Sequence, residues 1–132
     1  QRPATEAERE VLQGAPEQVT EIRRIRSLLD VPSVLETSVV SSDLFPGLER
    51  RSPLPSALYV LYQQAYGCII LHAEESMAAV LSTPDVIEAL QLPGPTPLLQ
   101  VDRLARDILG RTVEIRHSLY RTDELRYAIK LD

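Results

Sequence analysis

A single cysteine, Cys68, among 132 residues leaves no internal disulfide framework and fits a reducing compartment. It lies in the apolar run Gly67-Cys68-Ile69-Ile70-Leu71, where the expected role is a buried structural thiol. No apolar run approaches the ~18 residues needed to cross a bilayer. No charged-then-apolar leader opens the chain, which begins at Gln1 without a methionine and is expected to be a piece of a longer product. The five glycines are scattered and form neither a GxGxxG nor a Walker pattern. His72 and His117 are far apart and lack the Cys or carboxylate spacing of a metal site, so neither metal nor cofactor is expected. No nucleophile-elbow motif is present, and catalysis has little to stand on.

Positive charge is also scarce. Fourteen Lys and Arg against nineteen Asp and Glu give a net charge of -5, and the bases alternate with acids along the chain. Phosphate neutralisation needs a clustered basic surface, so this chain is not expected to touch DNA itself.

What is present suits one domain over residues 1–132 with one hydrophobic core, being 44% hydrophobic and 25% charged. Ala4 to Gln13 reads as a helix, with Thr5 as N-cap, Glu8 at capping-box spacing and Gly14 at its end. Residues 17–29 could be a helix by spacing alone. The β-branched run after them favours a hairpin of Glu17–Leu29 and Ser33–Ser41, turning at Asp30-Val31-Pro32. Residues 42–55, with three prolines, read as loop. A helix is expected from Ser56 to Ala65, closed by Gly67, then a strand from Cys68 to Ala73 whose continuation into Glu74-Glu75-Ser76 is open. Thr83-Pro84-Asp85 opens another helix to Gln91. Strands follow at Leu98–Leu104 and Thr112–Tyr120 around a turn at Leu109-Gly110-Arg111, and an alternating last strand at Arg126–Leu131. Hairpins imply antiparallel pairing, hence an α+β fold with helices packed on an antiparallel sheet.

Two stretches share a plan. Leu12-Gln13 and Glu36 recur 78 residues later as Leu90-Gln91 and Glu114, and Arg24 recurs 79 later as Arg103. Chance is one account, since these residues are common. The order of the features reads instead as a pseudo-twofold, which leaves related clefts between sheet and helices.

In a strand, Arg24 and Arg26 point to one face and form a guanidinium pair suited to a carboxylate or phosphate. On pattern alone a solvated strand face, or pairing with Glu36 across the hairpin, is the favoured account. Glu36 and Glu114 are candidates for a ligand hydroxyl or amide, or for internal salt bridges. Tyr120 shares a face with Glu114 on an unbroken strand. Tyr59, Ser56 and the first amides of their helix could hold an anion.

These pieces, in order, resemble the UTRA domain, the sensing module of the HutC subfamily of GntR regulators, whose fold is that of chorismate lyase. They are VTEIRRIR (19–26), Glu36 after a proline turn, FPGL (45–48), ALY (57–59), YG (66–67), AEESMAAVLS (73–82) and the closing block 96–131. The resemblance implies a cytoplasmic, homodimeric sensor of a small anionic metabolite, either a carboxylate or a phosphorylated sugar, that contacts DNA only through an N-terminal winged helix this chain lacks. It assigns the pocket to Arg24, Arg26, Glu36, Ser56, Ala57, Tyr59, Glu114 and Tyr120. Ala57 stands where the family carries a serine, with Ser56 one position earlier, which leaves a carboxylate more open than a phosphate. Arg121-Thr122-Asp123 stands where the family carries Arg-Gly-Asp. A lyase-type enzyme and a dimerisation module with an unused pocket are the rival readings.

Overall fold

The computed structural model describes residues 1–131. Its strands are β1 (Arg2–Pro3), β2 (Gln18–Leu28), β3 (Val31–Ser41), β4 (Ile70–Leu81), β5 (Pro97–Asp107) and β6 (Thr112–Arg121). Its helices are α1 (Glu6–Val11), α2 (Leu58–Tyr66) and α3 (Pro84–Ala89), with a 3-10 turn at Leu48–Arg50. The strands form one antiparallel sheet in the order β1-β2-β3-β6-β5-β4. This is the expected α+β fold.

Period-two alternation sends the helices to opposite faces. On β3, Leu35 packs with Val86 of α3 and Leu90 at its C-cap, and Val39 packs with Leu12 beyond α1. Val40, one residue on, faces the other way and joins Ile22, Phe45, Leu48, Leu58 and Tyr62 under α2. Phe45 and Tyr62 are fully buried with ring centroids 4.7 Å apart, each such side chain contributing roughly 1.5–3 kcal/mol. Cys68 is buried in the same cluster, and burial pushes its thiol pKa up, as suits a structural residue.

The pseudo-twofold lies at the centre of the sheet, where the hairpins β2–β3 and β5–β6 meet along β3–β6. Ser38 pairs with Arg116, residues that differ by the same 78 positions as the Leu and Glu repeats, so that pair sits on the axis. The arginine repeat does not follow. Arg24 lies opposite Glu36, whereas Arg103 lies opposite Arg116 and Glu114 lies opposite Ala105. The second hairpin is offset by two residues, which keeps the face and changes the partner.

Several boundaries move. Thr5 makes both halves of the capping box with Glu8, but α1 ends at Val11. The first hairpin turns at Leu29-Asp30, both with positive φ (51° and 63°), and not at Pro32, which lies within β3. That is the two-residue turn that suits the twist of a hairpin. Pro32 is tolerated because β3 meets β6 only from Val34 onward, so its missing N–H costs no bond there. α2 starts at Leu58, two residues after the expected Ser56. β4 begins at Ile70, not Cys68, and runs on through Glu74-Glu75-Ser76 to Leu81. The last expected strand is overturned: Arg126–Leu131 form no strand, and Tyr127 instead sets its ring against Tyr120 at 5.7 Å.

Candidate functional site

The bulge in β2 between Arg26 and Ser27 lies beside the loop that leads into α2, where Leu54 and Ser56 share a hollow with residues 24–27. Arg24 and Arg26 lie on one face, as the alternation requires, and Glu36 on β3 lies directly opposite Arg24. Glu114, Arg116, Ser118 and Tyr120 alternate along β6 on the same face. A cleft of about 390 Å³, within the usual range for small-ligand sites, is lined by Arg26, Val34, Glu36, Arg103, Arg116 and Tyr120 among others. A second hollow joins it at Arg26, Arg103 and Arg116 and reaches Ser56, Ala57 and Tyr59 at the start of α2. A larger groove beside α1 is lined by Ala4, Glu6, Arg9, Glu10 and Ala15, all exposed except Ala4.

Side-chain exposure orders the cleft from floor to mouth: Glu114 0%, Glu36 5%, Arg116 12%, Arg24 19%, Arg103 28% and Arg26 46%. At the floor, Glu114 accepts hydrogen bonds from the Tyr62 hydroxyl at 2.6 Å and the Tyr59 hydroxyl at 3.2 Å. Burial pushes both phenols' pKa values up, and the Glu114 carboxylate pushes them further, so they remain donors. Arg116 Nη2 donates to Glu114 Oε2 at 3.0 Å, and its Nη1 lies 2.8 Å from Glu36 Oε1. Burial alone would make Arg116 easier to deprotonate. The Glu114 carboxylate, with Tyr59 and Glu36, outweighs that and raises its pKa.

Glu36 is shared. Besides Arg116, its Oε2 lies 3.6 Å from Arg24 and 3.5 Å from Arg26. Arg24 is otherwise committed to the chain, donating from Nη1 to the Pro55 carbonyl at 2.9 Å and the Ser56 carbonyl at 3.2 Å. Arg103 donates to the Tyr59 hydroxyl at 3.2 Å and to Glu75 on β4 at 2.9 Å. Three guanidiniums (Arg24, Arg26, Arg116) therefore face two carboxylates (Glu36, Glu114), while Arg103 is matched by Glu75. One positive charge is left over inside an acidic chain, and Arg26 at the mouth is the most exposed of the three, with a single 3.5 Å contact to Glu36.

All eight residues singled out in the sequence come to this region, in different capacities. Glu36 and Tyr120 line the main cleft with Arg26, Tyr59 borders the adjoining hollow, and Glu114 lies beneath them. Arg24 braces the loop before α2. Ser56 supplies its backbone carbonyl to Arg24, and Ala57 is the N-cap of α2, where it has no side chain to cap with. Sequence reasoning missed Arg103, Arg116 and Tyr62. The signal for Arg116 was there, since it lies midway along the alternating run from Glu114 to Ser118. Tyr62 is one helical turn after Tyr59.

The sheet thus carries one internal twofold, helices on both faces and a polar cleft at the start of α2. The UTRA domain profile matches residues 1–126, and the chain belongs to the UTRA domain family. It is the ligand-binding domain of a GntR-family transcription regulator, a family of effector domains and not of enzymes. The ligand-binding domain of a GntR-family regulator from Bordetella bronchiseptica is similar at 29% identity and a TM-score of 0.89, over 99% of this chain and 84% of that one. The effector domain of PhnF from Mycobacterium smegmatis shares the fold at 22% identity and a TM-score of 0.90, over 99% of this chain and 81% of that one. A GntR-family regulator from Enterococcus faecalis shares it at 21% identity and a TM-score of 0.86, over 98% and 94%. Among the described residues no helix is long and apolar enough to cross a membrane.

Proposed function

We propose that residues 1–132 form a single effector-binding domain of the HutC type, acting in the cytoplasm on a small anionic metabolite, a carboxylate or a phosphorylated sugar. The effector sits in the cleft bounded by Arg24, Arg26, Glu36, Ser56, Ala57, Tyr59, Glu114 and Tyr120, with Arg103 and Arg116 added. The observation that carries this reading is the unmatched positive charge ending at Arg26. Arg26 is half-exposed and held by one 3.5 Å contact to an already shared carboxylate. An anion arriving there meets a guanidinium with donors to spare, in a concave site where charge-assisted bonds are worth more than at an open surface. A carboxylate is favoured over a phosphate, because Ala57 gives the start of α2 no hydroxyl.

A thermal-shift screen against short carboxylates and sugar phosphates tests this. A ligand at ~100 times its dissociation constant adds about 2.7 kcal/mol, a rise on the order of 10 °C for a domain of this size. In Arg26→Ala the affinity falls about tenfold or more, since one charge-assisted contact is worth at least about 1.4 kcal/mol. A hit undiminished in Arg26→Ala places the anion elsewhere.

The effector reaches DNA only through a winged-helix domain outside this chain, by shifting the population of two arrangements of a homodimer. The open outer edge of β4 supports the dimer: twelve residues long, largely exposed, with Leu71, Met77 and Leu81 at its surface. Light scattering of the purified chain is expected to give twice the monomer mass, and a monomer at high concentration would remove β4 as the contact. One observation favours the reading as a dimerisation module with an idle pocket: Arg24 and Arg26 both reach Glu36. It predicts no thermal shift with any anion.

A further inference from the structure

Arg116 has the surroundings of a bound ligand. Its guanidinium lies between two carboxylates from different strands, Glu114 beside it on β6 and Glu36 diagonally across on β3. The Tyr59 ring covers it, with Cζ 4.8 Å from the ring centroid. Two buried carboxylates and an aromatic face are what a protein uses to hold a guanidinium or ammonium from outside. Here the cation is the chain's own. Its directly opposed neighbour is Arg103, an arrangement that costs stability unless both charges are offset. Arg103 is offset by Glu75, and Arg116 by the cage.

Resting on the sensor reading above, we propose that Arg116 is a resident guanidinium ligand that fills the inner half of the cleft and restricts the effector to a short anion seated outward of it, against Arg26, Arg103 and Tyr120. The order of exposure supports that division. Glu114, Glu36 and Arg116 form the floor and are almost closed to solvent, while Arg103 and Arg26 open to the mouth. A longer molecule would have to displace Arg116 from two carboxylates to reach the floor. The floor would then select a cationic tail and not a second anion, because its fixed groups are Glu36, Glu114 and two phenols.

Arg116→Ala in the full chain tests both halves. Stranding two buried carboxylates is expected to lower Tm on the order of 10 °C. Millimolar methylguanidinium should restore at least half of that loss, while leaving the parent chain unchanged and having no counterpart with sodium or tetramethylammonium. The emptied cage should also change what binds. Arg116→Ala is expected to bind 4-guanidinobutyrate at least tenfold more tightly than butyrate, and the parent to show no such preference. A variant as stable as the parent, or one indifferent to methylguanidinium, overturns the resident-ligand assignment. Should the variant not fold alone, refolding with methylguanidinium replaces the melt. Folded protein recovered only with that cation supports the cage, and recovery with sodium alone, or with neither, overturns it. Rescue without anion binding by either protein leaves Arg116 as the resident cation, and it removes the length restriction together with the sensor reading beneath it.

Discussion

Leu29 shows how much one residue can conceal. It is 97% exposed and sits at positive φ in the turn between β2 and β3, a conformation that favours Gly, Asn or Asp. Asp30 satisfies its half of the turn; Leu29 does not. Because the turn lacks the Asn-Gly or Asp-Gly signature, the nearby Pro32 drew the sequence reading two residues too far. Leu29→Gly is expected to stabilise the domain by about 0.5–1 kcal/mol, a Tm rise of a few degrees, by relieving the backbone. A fall in Tm would mean that Leu29 has a contact outside this chain. Arg121 concealed the opposite. It is 5% exposed, yet it forks onto Asp123 at 2.8 Å twice and donates to the Pro32 carbonyl at 3.0 Å. The Arg121-Thr122-Asp123 triplet was legible as a motif. That it ties the end of β6 to the β2–β3 hairpin was not.

At the scale of elements, strands that alternate over a buried face were the most legible. β2 is legible to within a residue at each end, because the β-branched run of β3 after it favours a hairpin over the helix that its own spacing allows. β4 was harder. Nearly all of its residues are exposed, so no burial pattern marks where the strand stops, and its extent follows from pairing with β5 over Leu81–Pro97 to Ile70–Asp107. Residues 126–131 carry the alternation of a strand without being one. Tyr127, Ile129 and Leu131 are exposed, and a period of two specifies a strand only when a neighbour offers its backbone. α1 was the reverse case. The capping box fixes its start from local sequence, since Thr5 and Glu8 satisfy each other's amides within one turn.

For the molecule as a whole, acid is the condition that should loosen it. Glu8 is held down to about 2, chiefly by its hydrogen bonds from Arg2 and then by the Thr5 amide. Burial would raise Asp107, but the Arg111 guanidinium at 2.7 Å and the Leu109 and Arg111 amides outweigh it and keep it below the usual range. Asp123 is lowered by Arg121. Each of these groups binds its proton more weakly in the folded chain than in the unfolded one. Their stabilisation is therefore complete above the ordinary carboxylate range and fades as pH falls from about 4.5 toward 2. Tm should be flat near neutrality and drop through that window, with a shallower drop in Asp107→Asn. A flat profile down to pH 2 would remove these pairs as a source of stability.

The sequence by itself determined the class of fold, the faces and the family: period-two alternation, caps and ordered motifs are local, and each can be read within a dozen residues. It also placed Arg24 with Arg26 on one strand face and Glu114 with Tyr120 on another; the registers put these and Glu36 on the same side of the sheet. Only the tertiary structure decided which charge meets which. Side-chain faces repeat every two residues, so a hairpin displaced by two keeps every residue on its face and changes every partner across the strand. That displacement sets Arg103 beside Arg116, and the β3–β6 register brings Arg116 to the Glu36 that Arg24 and Arg26 already reach across the β2–β3 hairpin. The register is fixed between strands some eighty residues apart, and no local pattern in the chain carries it.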